Sequence, residues 1–174
     1  MGKKRRVRVG EVTIGEGQPL GLVAGPCVIE SESMCVDLAG TLKSVARSLG
    51  VGFIFKASFD KANRSSGKSF RGPGLKKGLE VLARVKREVG VLVTSDVHET
   101  SQVAAAAEVL DLIQIPAFLS RQTDLLEAAA RTGRPVNVKK GPFLAPWDMT
   151  HVVTKLREAG CTDVVLTERG ASFG

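Results

Sequence analysis

The stretch FIFKASFDKANRSS, residues 53–66, opens on an apolar run and then becomes polar abruptly. Its first three residues predict a strand that is buried on both faces. Lys56, Lys61 and Arg64 then follow among serines and an asparagine. A buried strand that delivers three cations where it surfaces is typical of a parallel-sheet protein with a binding site at the carboxyl ends of its strands.

Six strand-like segments alternate with five helical segments on either side of this stretch. The strands are predicted over residues 20–28, 51–55, 91–94, 110–115, 135–138 and 163–167, and the helices over residues 34–49, 75–89, 101–108, 123–131 and 147–159. Ser33 is the predicted N-cap of the first helix, and glycines follow most of the helices. This alternation predicts an α/β fold with a parallel sheet, either doubly wound or a (β/α) barrel. No GxGxxG motif opens the first helix, which weakens the dinucleotide-binding version.

Composition limits the classes of protein that remain. The chain has 174 residues, which suits one domain, with residues 1–19 as an N-terminal extension or small hairpin. The net charge is +7, but aromatic residues make up only 5%, so stacking platforms for nucleic acid are scarce and no nucleic-acid partner is expected. No apolar run approaches a membrane span, so no membrane partner is expected either. Three cysteines without a CxxC pair indicate a reducing compartment, so we expect a cytoplasmic protein.

Each predicted strand ends in a polar or reactive side chain. These residues are Cys27, Lys56, Ser95 with Asp96, Gln114, Lys139, and Glu168 with Arg169. Any strand must end in something polar, and this simpler explanation accounts for one or two of the ends. Six such ends that include three strong cations favour a functional site, because the carboxyl ends of barrel strands form one rim.

The cations predict an anionic ligand. Lys56, Lys139 and Arg169 are expected to converge on one pocket, and like charges are brought together most readily around an anion. Arg64 stands beside two serines, and a guanidinium with hydroxyl groups is typical of a phosphate site. Lys61 lies between these two groups. The sequence therefore predicts two anion-binding positions on the rim.

The motifs KASFDKANRSS, FRGPGL, TSDVHE, IQIPAFLSRQTDL, NVKKGPF and TERGASFG resemble those of the 3-deoxy-D-manno-octulosonate 8-phosphate synthase family. Members of this family condense phosphoenolpyruvate with arabinose 5-phosphate. The resemblance implies a transferase of lipopolysaccharide biosynthesis with a (β/α)8 TIM barrel, assembled as a homo-oligomer, commonly a tetramer. The related synthase that uses erythrose 4-phosphate to make a heptulosonate 7-phosphate has Lys-Pro-Arg where this chain has KANR, and it remains the alternative enzyme.

The resemblance also implies residue roles. It assigns one set of side chains to phosphoenolpyruvate, namely Lys56, Ser58, Lys139 and Arg169, with Gln114 and Ala117 beside them. It assigns a second set to arabinose 5-phosphate, namely Lys61, Asn63, Arg64 and Ser65. Lys61, Asn63 and Asp96 are the candidate catalytic residues, although Asp96 suits a helix N-cap or a supporting carboxylate nearly as well. Arg121 is similar to the residue that reaches into a neighbouring subunit's site.

Cys27 decides between two classes of the family. Metal-dependent members have cysteine at this position and metal-independent members have asparagine, so the resemblance implies a divalent metal, zinc, iron or manganese, on Cys27. An isolated cysteine that serves as a small core residue is the alternative, and we expect Cys35 and Cys161 to be of that kind.

The length departs from the family pattern. A complete barrel needs about 250 residues, whereas this chain supplies about six strands and no match to the family's remaining metal ligands. We therefore expect a fragment of a longer enzyme, or else a non-catalytic half-barrel remnant.

Overall fold

The computed structural model describes residues 6–171, and it divides them into two compact units. The first unit holds the chain as far as Ser95 together with Val109–Asp111. The second holds Asp96–Glu108 and the chain from Leu112 onward. The ends of the predicted N-terminal extension and of the last motif, residues 1–5 and 172–174, lie outside the described residues.

The first unit begins with an antiparallel hairpin, β1 (Arg6–Val9) and β2 (Val12–Gly15), so a hairpin lies within the predicted N-terminal extension. Its sheet contains β3 (Gly21–Ala24), β4 (Gly52–Lys56) and β5 (Leu92–Asp96), which pair in parallel in that order. Helix α1 (Glu32–Ser48) joins β3 to β4, and helix α2 (Leu75–Val89) joins β4 to β5. The apolar start of the opening stretch is buried as predicted, with Ile54 and Phe55 fully inaccessible.

The second unit contains β6 (Leu112–Ile115), β7 (Val136–Lys139) and β8 (Val164–Thr167), again parallel and paired in chain order. Its helices are α3 (Thr100–Val109), α4 (Thr123–Ala130) and α5 (Met149–Glu158). A 3₁₀ turn, Pro146–Asp148, precedes α5, so the α-helix begins two residues after the predicted start at Trp147. The alternation of parallel strands and helices confirms the predicted α/β class.

The N-cap of α1 is Ser31, and the prediction of Ser33 was wrong. Ser31 has extended backbone angles, φ −146° and ψ 158°, from which its hydroxyl accepts the N–H of Met34 at 3.2 Å. Ser33 already lies in the first helical turn. The end of the helix agrees with the prediction, because Gly50 follows Leu49 with φ 65°, a left-handed conformation that favours glycine.

The first predicted strand was too long at its carboxyl end. Strand β3 stops at Ala24, three residues before Cys27. At Gly25 the chain passes so close to β4 that an added Cβ would lie 2.1 Å from the carbonyl oxygen of Lys56. Pro26 follows and has no N–H to offer the sheet. Parallel pairing resumes only as a single bridge between Val28 and Ser58.

No helix among residues 6–171 is both long enough and apolar enough to cross a membrane.

Candidate functional site

Two lysine ammonium groups meet on one buried serine directly after β4. The Nζ of Lys61 donates to the Oγ of Ser58 at 2.9 Å, and the Nζ of Lys56 approaches the same oxygen at 3.4 Å. Ser58 is inaccessible to solvent, while both lysines are half-buried. Two cations held this close to one neutral hydroxyl create a strongly positive position, which favours an anionic ligand. We call Lys56, Ser58 and Lys61 the lysine cluster.

The other residues predicted to bind arabinose 5-phosphate lie on an exposed segment, residues 62–70, between β4 and α2. Asn63, Arg64 and Ser65 are all exposed there. The base of this segment is closed by two contacts. Arg71 donates through Nε and Nη2 to the Asp60 carboxylate at 2.9 and 2.6 Å, and the N–H of Lys61 donates to the carbonyl oxygen of Arg71 at 2.7 Å. The segment thus leaves and rejoins the fold at a fixed point beside the lysine cluster.

A chain of side-chain hydrogen bonds occupies the strand ends of the second unit. Thr167 donates to the Oδ1 of Asn137 at 2.9 Å, Asn137 donates to the Oε1 of Gln114 at 2.9 Å, and Gln114 donates to the Oδ1 of Asp96 at 2.5 Å. Asp96, Gln114 and Asn137 are at most 5% exposed. We call Asp96, Gln114, Asn137 and Thr167 the amide ladder. Gln114 lies inside β6 and not after it, and its side chain is held by Asp96 on one side and Asn137 on the other.

The second unit also contains two cationic side chains that are predicted to bind substrate, those of Lys139 and Arg169. The Nζ of Lys139 lies 3.8 Å from the Oδ1 of Asp96 and is about one-quarter exposed. Arg169 is exposed, and its backbone N–H donates to Glu168 at 2.9 Å. Although desolvation opposes the shift, the N–H groups of Gly170 and Arg169 and the ammonium of Lys140 lower the pKa of Glu168. Its carboxylate therefore stays charged and holds the backbone that carries Arg169.

Lys140 is almost completely buried, and it holds two loops together. Its ammonium donates to the carbonyl oxygens of Gly141, Leu144 and Gly170 at 3.2, 2.9 and 2.9 Å. It also lies 3.4 Å from the Glu168 carboxylate. Lys140 therefore ties the segment that follows β7 to the segment that follows β8, and the latter carries Arg169.

The last two predicted substrate residues are Ala117, which begins the 3₁₀ turn Ala117–Leu119, and Arg121, which lies two residues after it. Ala117 is buried, whereas Arg121 is exposed. Arg121 lines a cavity of about 480 Å³ together with His151 and Lys155. No residue of the amide ladder lines this cavity. The predicted part of Arg121 in a neighbouring subunit's site stays a prediction.

The three cysteines are all free thiols. Cys35 and Cys161 are buried, in agreement with their predicted role in the core. Burial, together with the nearby charge of Glu30, raises the pKa of Cys35 to about 11. Cys27 is exposed, so it is not a core residue. No three His, Cys, Asp or Glu side chains of residues 6–171 come together as a metal site, so Cys27 has no complete ligand set within this part of the chain.

The structure thus brings the predicted residues into two groups, one in each unit. In the first unit Lys56 and Lys61 both contact Ser58, and in the second unit Gln114 and Lys139 both contact Asp96. The predicted convergence of Lys56 with Lys139 and Arg169 stays a prediction, as do the individual roles.

Sequence reasoning missed Asn137, Thr167 and Lys140, and it gave no role to Asp60 or Arg71. A signal was present for Asn137, since an amide inside the apolar run of β7 needs a buried partner, and Gln114 stands directly opposite it in the parallel pairing. Lys140 gave no such signal, because a second lysine after a strand is usually exposed.

Comparison with known proteins places the chain in a family. The model of the DAHP synthetase I family matches residues 3–174. The chain is also similar to proteins from several organisms that are named 2-dehydro-3-deoxyphosphooctonate aldolase. The protein from Geobacter sp. (strain M21) is 59% identical over 170 residues, 98% of this chain and 62% of that protein. The protein from Desulfotalea psychrophila is 58% identical over 94% of this chain and 59% of its own length.

A cyanobacterial relative of the same name, from Cyanothece sp. (strain PCC 7425), is 57% identical over 94% of this chain and 60% of its own length. The chain thus spans about three-fifths of the length of the curated relatives it matches.

Proposed function

The chain belongs to the DAHP synthetase I family, and from this membership we propose that it serves to condense phosphoenolpyruvate with arabinose 5-phosphate, which gives 3-deoxy-D-manno-octulosonate 8-phosphate and phosphate. The observation that carries the proposal is the 57–59% identity to several proteins named 2-dehydro-3-deoxyphosphooctonate aldolase over nearly the whole chain. The heptulosonate synthase is not favoured, because these relatives share the octonate name and residues 61–64 read KANR.

We assign the lysine cluster to anion binding at the reacting centre. Lys56 and Lys61 both contact the hydroxyl of Ser58, so an anionic group that binds here would accept charge-assisted hydrogen bonds from two ammonium groups that already lie close together. Lys56 and Ser58 suit the carboxylate or phosphate of phosphoenolpyruvate. Lys61 suits the aldehyde end of the sugar, where its ammonium would stabilise negative charge that develops on the carbonyl oxygen.

The exposed segment supplies the contacts to the sugar phosphate. Arg64 offers a planar fork of donors that matches two phosphate oxygens, and Ser65 adds a hydroxyl. Asn63 offers both a donor and an acceptor to the hydroxyl groups of the sugar. Because the three side chains are exposed, they remain accessible to an arriving substrate.

The second unit supplies Lys139, Arg169 and the buried Asp96. Lys139 and Arg169 suit anionic oxygens of phosphoenolpyruvate, and the Lys139 ammonium is held near a carboxylate before substrate arrives. Gln114 is fixed by its hydrogen bonds on both sides. These residues bind and orient, and the positioning of two reactants is itself a large source of rate.

The chemistry then balances as follows. The methylene carbon of the phosphoenolpyruvate double bond forms a bond to the aldehyde carbon, whose oxygen takes up a proton and becomes a hydroxyl. Positive character is left at the carbon that carries the phosphate ester, and water adds there and loses a proton. The resulting hemiketal phosphate expels inorganic phosphate by cleavage of its carbon–oxygen bond, which yields the keto product.

A divalent metal on Cys27 is part of this proposal only together with ligands beyond those described, since residues 6–171 hold no complete set. In the family such a metal would act as a Lewis acid or orient water. No step above depends on it.

We further propose a homo-oligomer, tetrameric as in the family, in which Arg121 completes a neighbouring site. The free state of all three cysteines supports a cytoplasmic enzyme, and the proposed product supports a role in lipopolysaccharide biosynthesis. If Arg121 acts across subunits, a mixture of Arg121→Ala and Lys56→Ala subunits should regain activity, because some mixed sites contain neither defect. No recovery after proven subunit exchange contradicts the shared site.

The central experiment uses the product of the whole open reading frame that encodes this chain. It is incubated with phosphoenolpyruvate and either arabinose 5-phosphate or erythrose 4-phosphate, and phosphate release is measured. We expect release with arabinose 5-phosphate that is lost in Lys61→Ala. Release with erythrose 4-phosphate alone would favour the heptulosonate synthase. Release with neither sugar, from a folded protein that still binds phosphate, would favour a non-catalytic remnant.

A further inference from the structure

The amide ladder has a direction, and the charge on Asp96 sets it. An ionised carboxylate only accepts hydrogen bonds, so Gln114 must turn its NH₂ group towards Asp96. The carbonyl oxygen of Gln114 then faces Asn137, which must in turn present its own NH₂ group. The oxygen of Asn137 is left to accept the hydroxyl of Thr167. One negative charge thus fixes two amide orientations across three strands.

The dependence also runs in the opposite direction. If Asn137 could no longer donate, the Gln114 amide would lose the contact that keeps its NH₂ group on Asp96. A rotated Gln114 would place a carbonyl oxygen against the carboxylate. Because both side chains are almost fully buried, no bulk water would relieve that contact. Lys139, 3.8 Å from the same carboxylate oxygen, would then face an altered acceptor.

We propose that Asn137 is a positioning residue that acts through Gln114, where it keeps the Asp96 carboxylate in the place and acceptor state that the condensation requires. The inference deepens the function proposed above and rests on it wherever turnover is measured. Asn137 touches neither substrate in this scheme. Its effect passes through one amide to one carboxylate.

Three variants test the direction of the ladder: two single changes and their combination. Asn137→Asp has the same shape and still accepts from Thr167, but it cannot donate to Gln114. Asp96→Asn removes the charge that sets the direction. The exchanged pair, Asp96→Asn with Asn137→Asp, matches every hydrogen bond again but with the direction reversed and the charge moved to β7. Asp124→Asn, on an exposed helical turn, is the control for an aspartate-to-asparagine change.

We expect Asn137→Asp to lower Tm by several degrees and the exchanged pair to recover most of that loss, because its donors and acceptors match again. Asp96→Asn should lower Tm less, because the Oδ1 of an asparagine at position 96 can still accept from Gln114. We expect kcat to fall at least tenfold in all three variants, with a smaller change in KM. Asp124→Asn should resemble the unchanged protein. Recovered stability without recovered turnover separates a positioned carboxylate from a merely structural ladder.

Two outcomes overturn the inference. If the exchanged pair regains turnover together with Tm, the carboxylate at position 96 is not needed and Asn137 is only structural. If Asn137→Asp changes neither Tm nor kcat, the direction of the ladder has no consequence. Should the single variants fail to fold, recovery of folded protein in the exchanged pair replaces the Tm comparison.

The stability comparison does not depend on any activity. If the unchanged protein releases no phosphate at all, the proposed function fails. The ladder is then judged on Tm alone, where recovery in the exchanged pair supports it and no recovery contradicts it.

Discussion

Arg71 binds both carboxylate oxygens of Asp60 across eleven positions of sequence, and this pair closes the base of the exposed segment that carries Arg64. Arg71 is about half exposed and the Asp60 side chain is 19% exposed. An ion pair this accessible adds little to global stability. Its consequence is local, because it fixes where residues 62–70 leave the fold.

The first prediction exchanges the two charges. Asp60→Arg and Arg71→Asp should each raise KM for arabinose 5-phosphate severalfold with little change in Tm, because the base of the segment opens while the core is untouched. The double exchange should recover part of the KM. Steady-state kinetics with both substrates varied would check this. An equal rise in KM for phosphoenolpyruvate would contradict a role confined to the segment.

The second prediction concerns Arg64 itself. Arg64→Ala should weaken arabinose 5-phosphate more than phosphoenolpyruvate, because a bidentate contact to one phosphate is lost. A loss of about 1.5–3 kcal/mol is typical of hydrogen bonds to charged groups. Lys68→Ala, an exposed cation on the same segment, is the matched control. Equal losses in both variants would indicate general attraction by positive charge and not a specific contact.

The third prediction concerns the buried ammonium of Lys140. Lys140→Met keeps the length of the side chain but leaves the carbonyl oxygens of Gly141, Leu144 and Gly170 without that donor. Gly141 is buried and Leu144 half-buried, whereas Gly170 is exposed, so water can replace the lysine at Gly170. Since an unsatisfied buried group costs about 1–3 kcal/mol, we expect a loss of about 3 kcal/mol in the free energy of unfolding from the first two. Urea denaturation measures it, with the exposed Lys76→Met as control. If Lys140→Met loses no more unfolding free energy than Lys76→Met, water replaces the lysine.

The fourth prediction is an alkaline loss of stability. The pKa of Cys35 is raised to about 11, first by burial and then by Glu30, from 9.0 in an unperturbed thiol. The folded state therefore retains the proton longer than the unfolded state does. This contribution is complete below pH 9 and is lost as the pH rises through about 11.

Urea unfolding between pH 8 and pH 10.5 should therefore show a decline that is shallower in Cys35→Ala. Burial also raises the pKa of Cys161, so part of the decline should remain in that variant. Identical slopes in both proteins would contradict the assignment to Cys35.

The fifth prediction concerns the exposed thiol of Cys27. A transition-metal site usually needs about three or four protein ligands, and residues 6–171 bring no such group together. The 174-residue chain should therefore bind zinc no more tightly than its Cys27→Ser variant in a calorimetric titration. Stoichiometric binding that the variant loses would mean that Cys27 finds partners, for example in a second copy of the chain.

The sequence predicted element types well because the apolar periods are strong. Helix α2 runs from Leu75 to Val89 as predicted, with Leu79, Leu82 and Val85 buried on one side. The errors fall where a local contact overrides the pattern. The strand that was predicted to reach Cys27 ends at Ala24, because the close approach of Gly25 to Lys56 cannot be read from hydrophobicity.

The sequence predicted the charged residues of the candidate site but not the buried residues that hold them in place. Lys56 and Lys61 were identified from their place after a buried strand, and they do meet on Ser58. Asn137 and Lys140 were missed because their roles depend on partners 23 to 30 positions away, which no short motif reveals.

Gly78 of helix α2 packs directly against Phe59, near the start of the loop between β4 and α2. A Cβ at Gly78 would lie 2.2 Å from the Cβ of Phe59, so helix α2 rests directly on the residue that precedes Asp60. Phe59 is fully inaccessible, and its N–H is bound by Ser95. We therefore expect residues 62–70 to be able to move while Phe59 stays fixed, because such motion would break only the contacts of exposed residues. We therefore predict that entry of the proposed sugar phosphate at this loop requires no opening of the core.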